Sequence, residues 1–184
     1  MKLVCGDVVQ MQVDAIACPA HSDLRSTPGI REAVFRAADG QKLKKLCREK
    51  GGCPIGHAVL TPSCGLPCRY IIHVVGPGWY SGREPDRRMF ACCYVQALHL
   101  AHLYRCRTVA LPLMFSGDLH LPRAQALAIV CQVVTEFEHR HPDMEISLVL
   151  YKQSIYQMAE KIYASYLGGT LVPDRKLLPR TWQF

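Results

Sequence analysis

The order of hydrophobic periods constrains this chain more than any other feature. Short runs rich in β-branched residues alternate with longer runs of helical spacing from one end to the other. "KLVCG" and "VDAIA" read as strands, and "GIREAVFRAA" sets Ile30, Val34 and Ala38 on one helical stripe. "QKLKKLCREKGG" is a helix that stops at Gly51-Gly52, a C-capping signal. "HAVLT" and "RYIIHVV" return to strand, the second a β-branched run suited to a buried position. A long helix follows over "DRRMFACCYVQALHLAHLYRC", with Met89, Cys93, Gln96, Leu100 and Leu103 expected on one face. Strand "TVALPLM", helix "LPRAQALAIVCQVVTEFEHRH", strand "EISLVLY" and helix "SIYQMAEKIYASYL" complete the pattern, Pro122 standing at a tolerated early helical position. This rhythm predicts the α/β class, a three-layer α/β/α sandwich around a central mixed, mostly parallel sheet. One domain is expected over residues 1–167. Residues 168–184, with two Gly and two Pro and no clear period, are expected to form a flexible or docking C-terminal extension.

Composition narrows the functional classes. With 184 residues, 49% hydrophobic and 20% charged, the chain is a globular domain large enough to bury a core. No apolar stretch is long enough to span a bilayer, and "MKLVCGDVV" lacks a secretory h-region. A cytoplasmic or nuclear protein without membrane partners is expected, its ten cysteines reduced and mostly small core residues. The net charge of +7 is compatible with a polyanionic partner. The basic residues are scattered, however, and the densest cluster, "QKLKKLCREK", reads as a solvated helix face.

In sheets of this kind, ligands bind at the carboxyl ends of the strands. Four loops there carry unusual residues: Gly6-Asp7-Val8, Cys18 to Gly29, Met114 to Pro122, and Tyr151-Lys152. The stretch Cys18, Pro19, Ala20, His21 follows the apolar run Ala15 to Ala17, and the strand is expected to end there. A thiolate–imidazolium pair of Cys18 and His21 is one reading; it requires an exposed, electropositive thiol within reach of the ring. A zinc corner is another, with Cys64 and Cys68 four apart and Cys53, His57 and His73 nearby, but no Cys-x-x-Cys pair occurs. A small buried thiol beside a loop histidine is the commoner arrangement, so no metal, no cofactor and no catalytic residue is assigned.

Four stretches, in order, resemble a macrodomain, the ADP-ribose-binding α/β/α module. "GDVVQMQVDAIA" is similar to the family's Gly-Asp-Ile-Thr run followed by Asp-Ala-Ile-Val. "AVFRAADG" resembles its Ala-Ile-His-Arg-Ala-Ala-Gly helix. "GGCPIGHAVLTPSCGLPCRYIIHVVGPGW" matches Gly-x-Cys-Pro-x-Gly-x-Ala, then Leu-Pro, then Ile-His-x-Val-Gly-Pro. "VALPLMFSGDLHLP" resembles the strand and second phosphate loop, and the similarity covers roughly residues 3–165.

The resemblance implies a ligand map. Asp7 matches the Asp that accepts from the adenine amino group, and the backbone N–H of Val8 would face a ring nitrogen. Tyr151 falls where the family often stacks an aromatic on adenine. Ser116, Gly117, Asp118 and Leu119 fall on the loop that wraps the diphosphate. Ala20, His21, Gly29, Ile30 and Pro112 complete the implied ligand-binding positions. The departures cluster at the distal-ribose end. Cys18 to His21 stands where the family reads Asn-Ala-Ala-Asn, and an imidazole cannot reproduce the amide's donor set. Arg25-Ser26-Thr27-Pro28-Gly29 replaces a glycine run; only Gly29 remains, and Pro28 has no N–H to give. Arg31 stands nearest the Asp that activates water in the hydrolytic branch. Arg25 and Arg31 are the cations at hand to pair with phosphate instead. Asp118 places a carboxylate where the family has an apolar residue, Leu119 replaces an aromatic, and His120 replaces a glycine. His21, Pro28 and His120 are candidates to plug the cleft.

The expectation is therefore a divergent macrodomain. It would be a binding module for ADP-ribose or ADP-ribosylated protein, with weakened or altered recognition and without hydrolase activity. The alternatives are a mono-ADP-ribosyl hydrolase using other residues, and binding of poly-ADP-ribose or nucleic acid through the basic charge.

Overall fold

The computed structural model describes residues 1–77, 84–115, 122–174 and 176–178. Six strands and five α-helices alternate: β1 (Lys2–Cys5), β2 (Val13–Ala20), α1 (Ile30–Ala37), α2 (Gly40–Glu49), β3 (Ala58–Pro62), β4 (Cys68–Val75), α3 (Glu84–Leu103), β5 (Thr108–Pro112), α4 (Arg123–Arg140), β6 (Glu145–Leu150) and α5 (Gln153–Leu167). The sheet order is β1-β6-β5-β2-β4-β3, and β3 on β4 is the antiparallel pair in an otherwise parallel sheet.

The period of two along each strand sorts side chains onto the two faces of this sheet. In β2, Ala15 and Ala17 face the core formed with α3, α4 and α5. Ile16, Cys18 and Ala20 face the core formed with α1 and α2. β4 divides likewise, Ile72 and Val74 to the first core and Ile71 and Val75 to the second. Two cores, one on each face, make the three-layer α/β/α sandwich that the alternation of periods predicts.

Two local expectations are corrected. β2 continues through Cys18, Pro19 and Ala20, which pair with His73, Val74 and Val75 of β4. The ladder to β5 involves only Ala15 and Ile16, so β2 beyond Ile16 is paired on one side, which lets it seat a proline as an edge strand does. In α3 the inner face is Phe90, Cys93, Tyr94, Ala97, Leu98 and Ala101, all fully buried, whereas Met89 and Leu103 are exposed. The apolar composition of α3 is nearly uniform around its circumference, so spacing alone picks the wrong stripe.

Asp14 ties three strands together at the end of the sheet where β2 begins. Its carboxylate accepts from the backbone N–H of Arg107 at 2.8 Å and of Thr108 at 3.1 Å, and from Arg69 Nη1 at 3.2 Å. Partial burial works to raise its pKa, but these donors outweigh it and hold the carboxyl below its ordinary 3.8. Asp14→Ala is expected to cost about 1–3 kcal/mol, because the Arg107 and Thr108 amides lose their acceptor; urea denaturation measures it. The contribution is full above the ordinary carboxylate pKa and is lost as pH falls through the lower folded value.

Beyond α5 the chain turns back over α3 and α4. The Gln132 side chain makes two hydrogen bonds with the Asp174 backbone, at 2.8 and 3.0 Å. Arg87 pairs with the Asp174 carboxylate at 3.1 Å, Arg88 Nε donates to the Lys176 carbonyl at 2.9 Å, and Leu177 is buried in the α3–α4–α5 core.

Candidate functional site

The carboxyl ends of β1, β5 and β6 stop at nearly the same level, and the N-terminus of α1 faces them. Between them lies a cleft of about 380 Å³. Gly6, Asp7 and Val8 line it from the loop after β1, Gly29, Ile30, Ala33 and Arg36 from α1, and Pro112 and Leu113 from the end of β5. Val149, Leu150, Tyr151, Lys152 and Ile155 close it from β6 and the start of α5. The volume is that of a small-ligand pocket, with an apolar floor and a few polar groups at its rim.

Each polar group is set by local structure. Asp7 caps the short 3-10 turn Val8–Gln10, its Oδ1 accepting from the Val9 N–H at 3.1 Å. The capping bond fixes the carboxylate and leaves Oδ2 for a further donor. Gly29 precedes α1 with φ of 90°, a conformation that favours glycine and explains why this position of the loop keeps one. Tyr151 follows β6 and is 76% exposed at the cleft rim, with no ring–ring contact among the described residues.

Eight of the positions named from the sequence therefore meet in one cleft: Asp7, Val8, Gly29, Ile30, Pro112 and Tyr151, with Gly6 and Lys152 from the same loops. Ala20 and His21 are not among its lining. Ala20 is buried at the end of β2 and His21 is exposed. Ser116, Gly117, Asp118, Leu119 and His120 lie outside the described residues. The approach to that loop is described: the Met114 N–H donates to the Tyr94 hydroxyl at 2.9 Å, and Phe115 packs against Phe90. A Cβ at Gly76 would meet the Phe115 ring at 2.2 Å, so the end of β4 needs a glycine for this ring to lie across it. Ala33, Arg36, Leu113, Val149, Leu150 and Ile155 also line the cleft without having been singled out. For Ala33 and Arg36 the signal was the three-residue helical step from Ile30.

Arg31 overturns the expectation of a phosphate partner. It is 1% exposed, the largest fully buried side chain described, and it points away from the cleft into the α1–α2 core. Its Nε donates to the Arg25 carbonyl and its Nη2 to the Leu24 carbonyl, so it clamps the 21–29 loop from beneath. Nη1 lies 3.0 Å from His73 Nδ1, and His73 Nε2 lies 2.9 Å from the Thr61 hydroxyl. A guanidinium only donates, so His73 Nδ1 accepts and the imidazole is neutral, with its proton on Nε2. Burial first, then the charges of Arg31 and Lys50, holds the His73 pKa down at about 3. The other loop cation, Arg25, pairs with Asp23 at 3.2 Å.

The same cluster removes the nucleophile reading of the loop. Cys18 is fully buried, its thiol lies 3.5 Å from the Pro19 carbonyl, and burial raises its pKa to about 11 despite the Arg31 charge. No hydrogen bond joins it to His21 among the described residues. Cys47 Sγ stands 3.8 Å from Arg31 Nη2 and 3.9 Å from His73 Nε2, and burial raises this thiol too. No group of three His, Cys, Asp or Glu at metal-binding distance occurs among the described residues, and His73, one of the zinc candidates, is already committed to Arg31 and Thr61. No described helix is long and apolar enough to cross a membrane.

His73 gives stability a pH dependence. Its folded pKa of about 3 lies below the ordinary 6.5, so only the unfolded chain takes up a proton between those values. The contribution is full above pH 6.5 and is lost as pH falls. One unit below 6.5 the loss is about 1.4 kcal/mol. Urea midpoints from about pH 7.5 to about pH 5 are expected to fall, and His73→Gln to flatten that acid limb.

A mixed, mostly parallel sheet between two layers of helices, with a cleft of about 380 Å³ across its strand ends, defines the class of domain. The chain belongs to the macro domain family: the family model described as Macro domain matches residues 17–130. A macro domain-containing protein of Caldanaerobacter subterraneus subsp. tengcongensis is 34% identical over 166 residues, covering 89% of this chain and 95% of that protein. A protein of Escherichia fergusonii named O-acetyl-ADP-ribose deacetylase is 37% identical over 139 residues, covering 74% and 78%. Among solved structures, the Oceanobacillus iheyensis macrodomain with ADP superposes with a TM-score of 0.85 at 27% identity, covering 92% of each chain. A mutant of that macrodomain with ADPR gives 0.84 at 26% identity, covering 90% of this chain and 91% of the mutant.

Proposed function

We propose that this protein is a binding module for ADP-ribose or ADP-ribosylated protein, with recognition concentrated at the adenosine end and without hydrolytic activity. The cleft bordered by Asp7 and Tyr151 carries the reading: a fixed carboxylate acceptor, an exposed ring and an apolar floor suit an adenine. Gly29 and Ile30, at the start of α1, are assigned to the phosphate side, where unpaired N–H groups favour an anion. Membership of the macro domain family and the relatives with ADP or ADPR support the ligand class.

Binding without turnover is supported by Arg31. Where a hydrolytic macrodomain is expected to hold a water-activating carboxylate, this chain holds a cation turned into the core. The nearby loop carboxylate, Asp23, is exposed and engaged by Arg25. Titration calorimetry with ADP-ribose tests the first half: weak to moderate affinity is expected, submicromolar affinity would overturn the claim of altered recognition, and no binding would overturn the ligand. Incubation with O-acetyl-ADP-ribose and with a mono-ADP-ribosylated protein tests the second. Release of acetate or of ADP-ribose at a rate above buffer, lost in a loop variant such as His21→Ala, would establish the enzymatic reading that the named deacetylase relatives favour.

A further inference from the structure

The ADP-ribose reading leaves two cations of the cleft unused. Arg36 of α1 and Lys152, at the N-cap position of α5, both line the cleft. Both are exposed, and neither forms an ion pair among the described residues. Lys2, Arg25, Arg69, Arg87 and Arg140, by contrast, each hold a carboxylate. Asp7 is the one acidic residue in the described lining, its Oδ1 is taken by Val9, and α5 carries no acid in its first turn. Apart from the neutral Tyr151, the rest of the lining is apolar or glycine, so this part of the cleft carries two positive side chains against one negative.

Their position separates them from the diphosphate. Ile30, Ala33 and Arg36 follow one another along one face of α1. Six residues of helix place Arg36 about 9 Å beyond Ile30, away from the helix N-terminus assigned to the phosphates. Lys152 reaches the same cleft from the loop that carries Tyr151. On the ADP-ribose reading the two cations stand on the side of Asp7 and Tyr151, where an adenosine has no charge of its own for them to meet. A guanidinium is suited to phosphate oxygens in pairs, and an ammonium serves as a point charge beside it.

We propose that the cleft prefers ADP-ribose bearing a further phosphate next to its adenosine ribose, with Arg36 and Lys152 as the residues that read it. This rests on the ADP-ribose reading. Two sources supply the same chemistry: a phosphate monoester on the adenosine 2′-hydroxyl, and the phosphates of a next ADP-ribose unit joined at that hydroxyl.

Calorimetry on the full chain at low and moderate salt tests it, with ADP-ribose, 2′-phospho-ADP-ribose and a short ADP-ribose oligomer of defined length as probes. The extra phosphate is expected to tighten binding about tenfold or more at low salt, and the gain is expected to shrink as salt rises. In the double variant Arg36→Gln/Lys152→Gln the ratio of affinities is expected to fall to about twofold or less. Lys44→Gln/Lys45→Gln, which removes the same charge from the exposed face of α2, is expected to keep the ratio. A gain confined to the oligomer assigns the polymer as source, and an equal gain with 2′-phospho-ADP-ribose assigns the monoester. Equal affinity for all three probes overturns the proposal and leaves the ADP-ribose reading standing, as does a ratio that the control pair lowers as much as the cleft pair. Failure of every probe to bind overturns both.

Discussion

Arg31→Met is expected to destabilise the protein by about 3 kcal/mol or more, although the side chain lies beneath the loop and outside the cleft. The guanidinium is buried, and its removal strands the buried Leu24 carbonyl and His73 Nδ1 together, with the Arg25 carbonyl losing its donor as well. Each buried polar atom left without its partner costs about 1–3 kcal/mol, and methionine fills the volume without supplying a donor. Arg31→Lys is not conservative here. An ammonium concentrates its donors on one nitrogen and cannot reach His73 and two carbonyls at once, so most of the loss is expected to remain. Urea unfolding measures the free energy. Amide hydrogen exchange of residues 21–29 gives the local readout: in both variants these amides are expected to exchange faster than those of β4. A variant within about 0.5 kcal/mol of the parent, with unchanged exchange, would show that the loop holds its shape without the clamp.

Asp7→Ala is expected to weaken ADP-ribose binding by roughly 10- to 150-fold, the range of a hydrogen bond to a charged acceptor. Because Asp7 also caps the 3-10 turn, a loss in the alanine variant mixes two effects. Asp7→Asn separates them. The amide oxygen keeps the acceptor for the Val9 N–H, while the amide nitrogen offers a donor to a donor, the adenine amine. Asp7→Asn is therefore expected to melt close to the parent and yet to bind nearly as poorly as Asp7→Ala. Full affinity in Asp7→Asn would mean that the carboxylate serves the turn alone. Tyr151→Ala provides an independent arm. The ring is exposed at the rim, so its removal is expected to leave stability unchanged and to lower affinity by the worth of one base–aromatic stack, about 1–3 kcal/mol.

The two halves of the cleft differ in how much of them the sequence made legible. Asp7, Gly29 and Tyr151 stand at the ends of elements whose periods are plain, and a residue at a strand end can be placed once the strand is placed. The loop from Cys18 to Gly29 was not readable in that way. Its apolar run gave no sign that β2 would continue through Pro19, because one-sided pairing is a property of the neighbouring strand. Arg31 shows the same limit more sharply. A cation in the first turn of a helix beside a phosphate loop reads as a ligand contact. Its burial depends on His73 and Cys47, 42 and 16 residues away, which no local spacing connects to it.

By itself, the sequence determined the alternation of strands and helices, the two-faced burial of the sheet and the residues at the ends of its strands. Those follow from backbone periodicity, which is local. Tertiary structure alone decided which face of α3 is inner, that Arg31 clamps a loop instead of meeting a ligand, and that Arg36 and Lys152 share a cleft. Each of these is fixed by contacts between segments far apart in the chain, where packing and the cost of burying an unpaired polar group outweigh local preference.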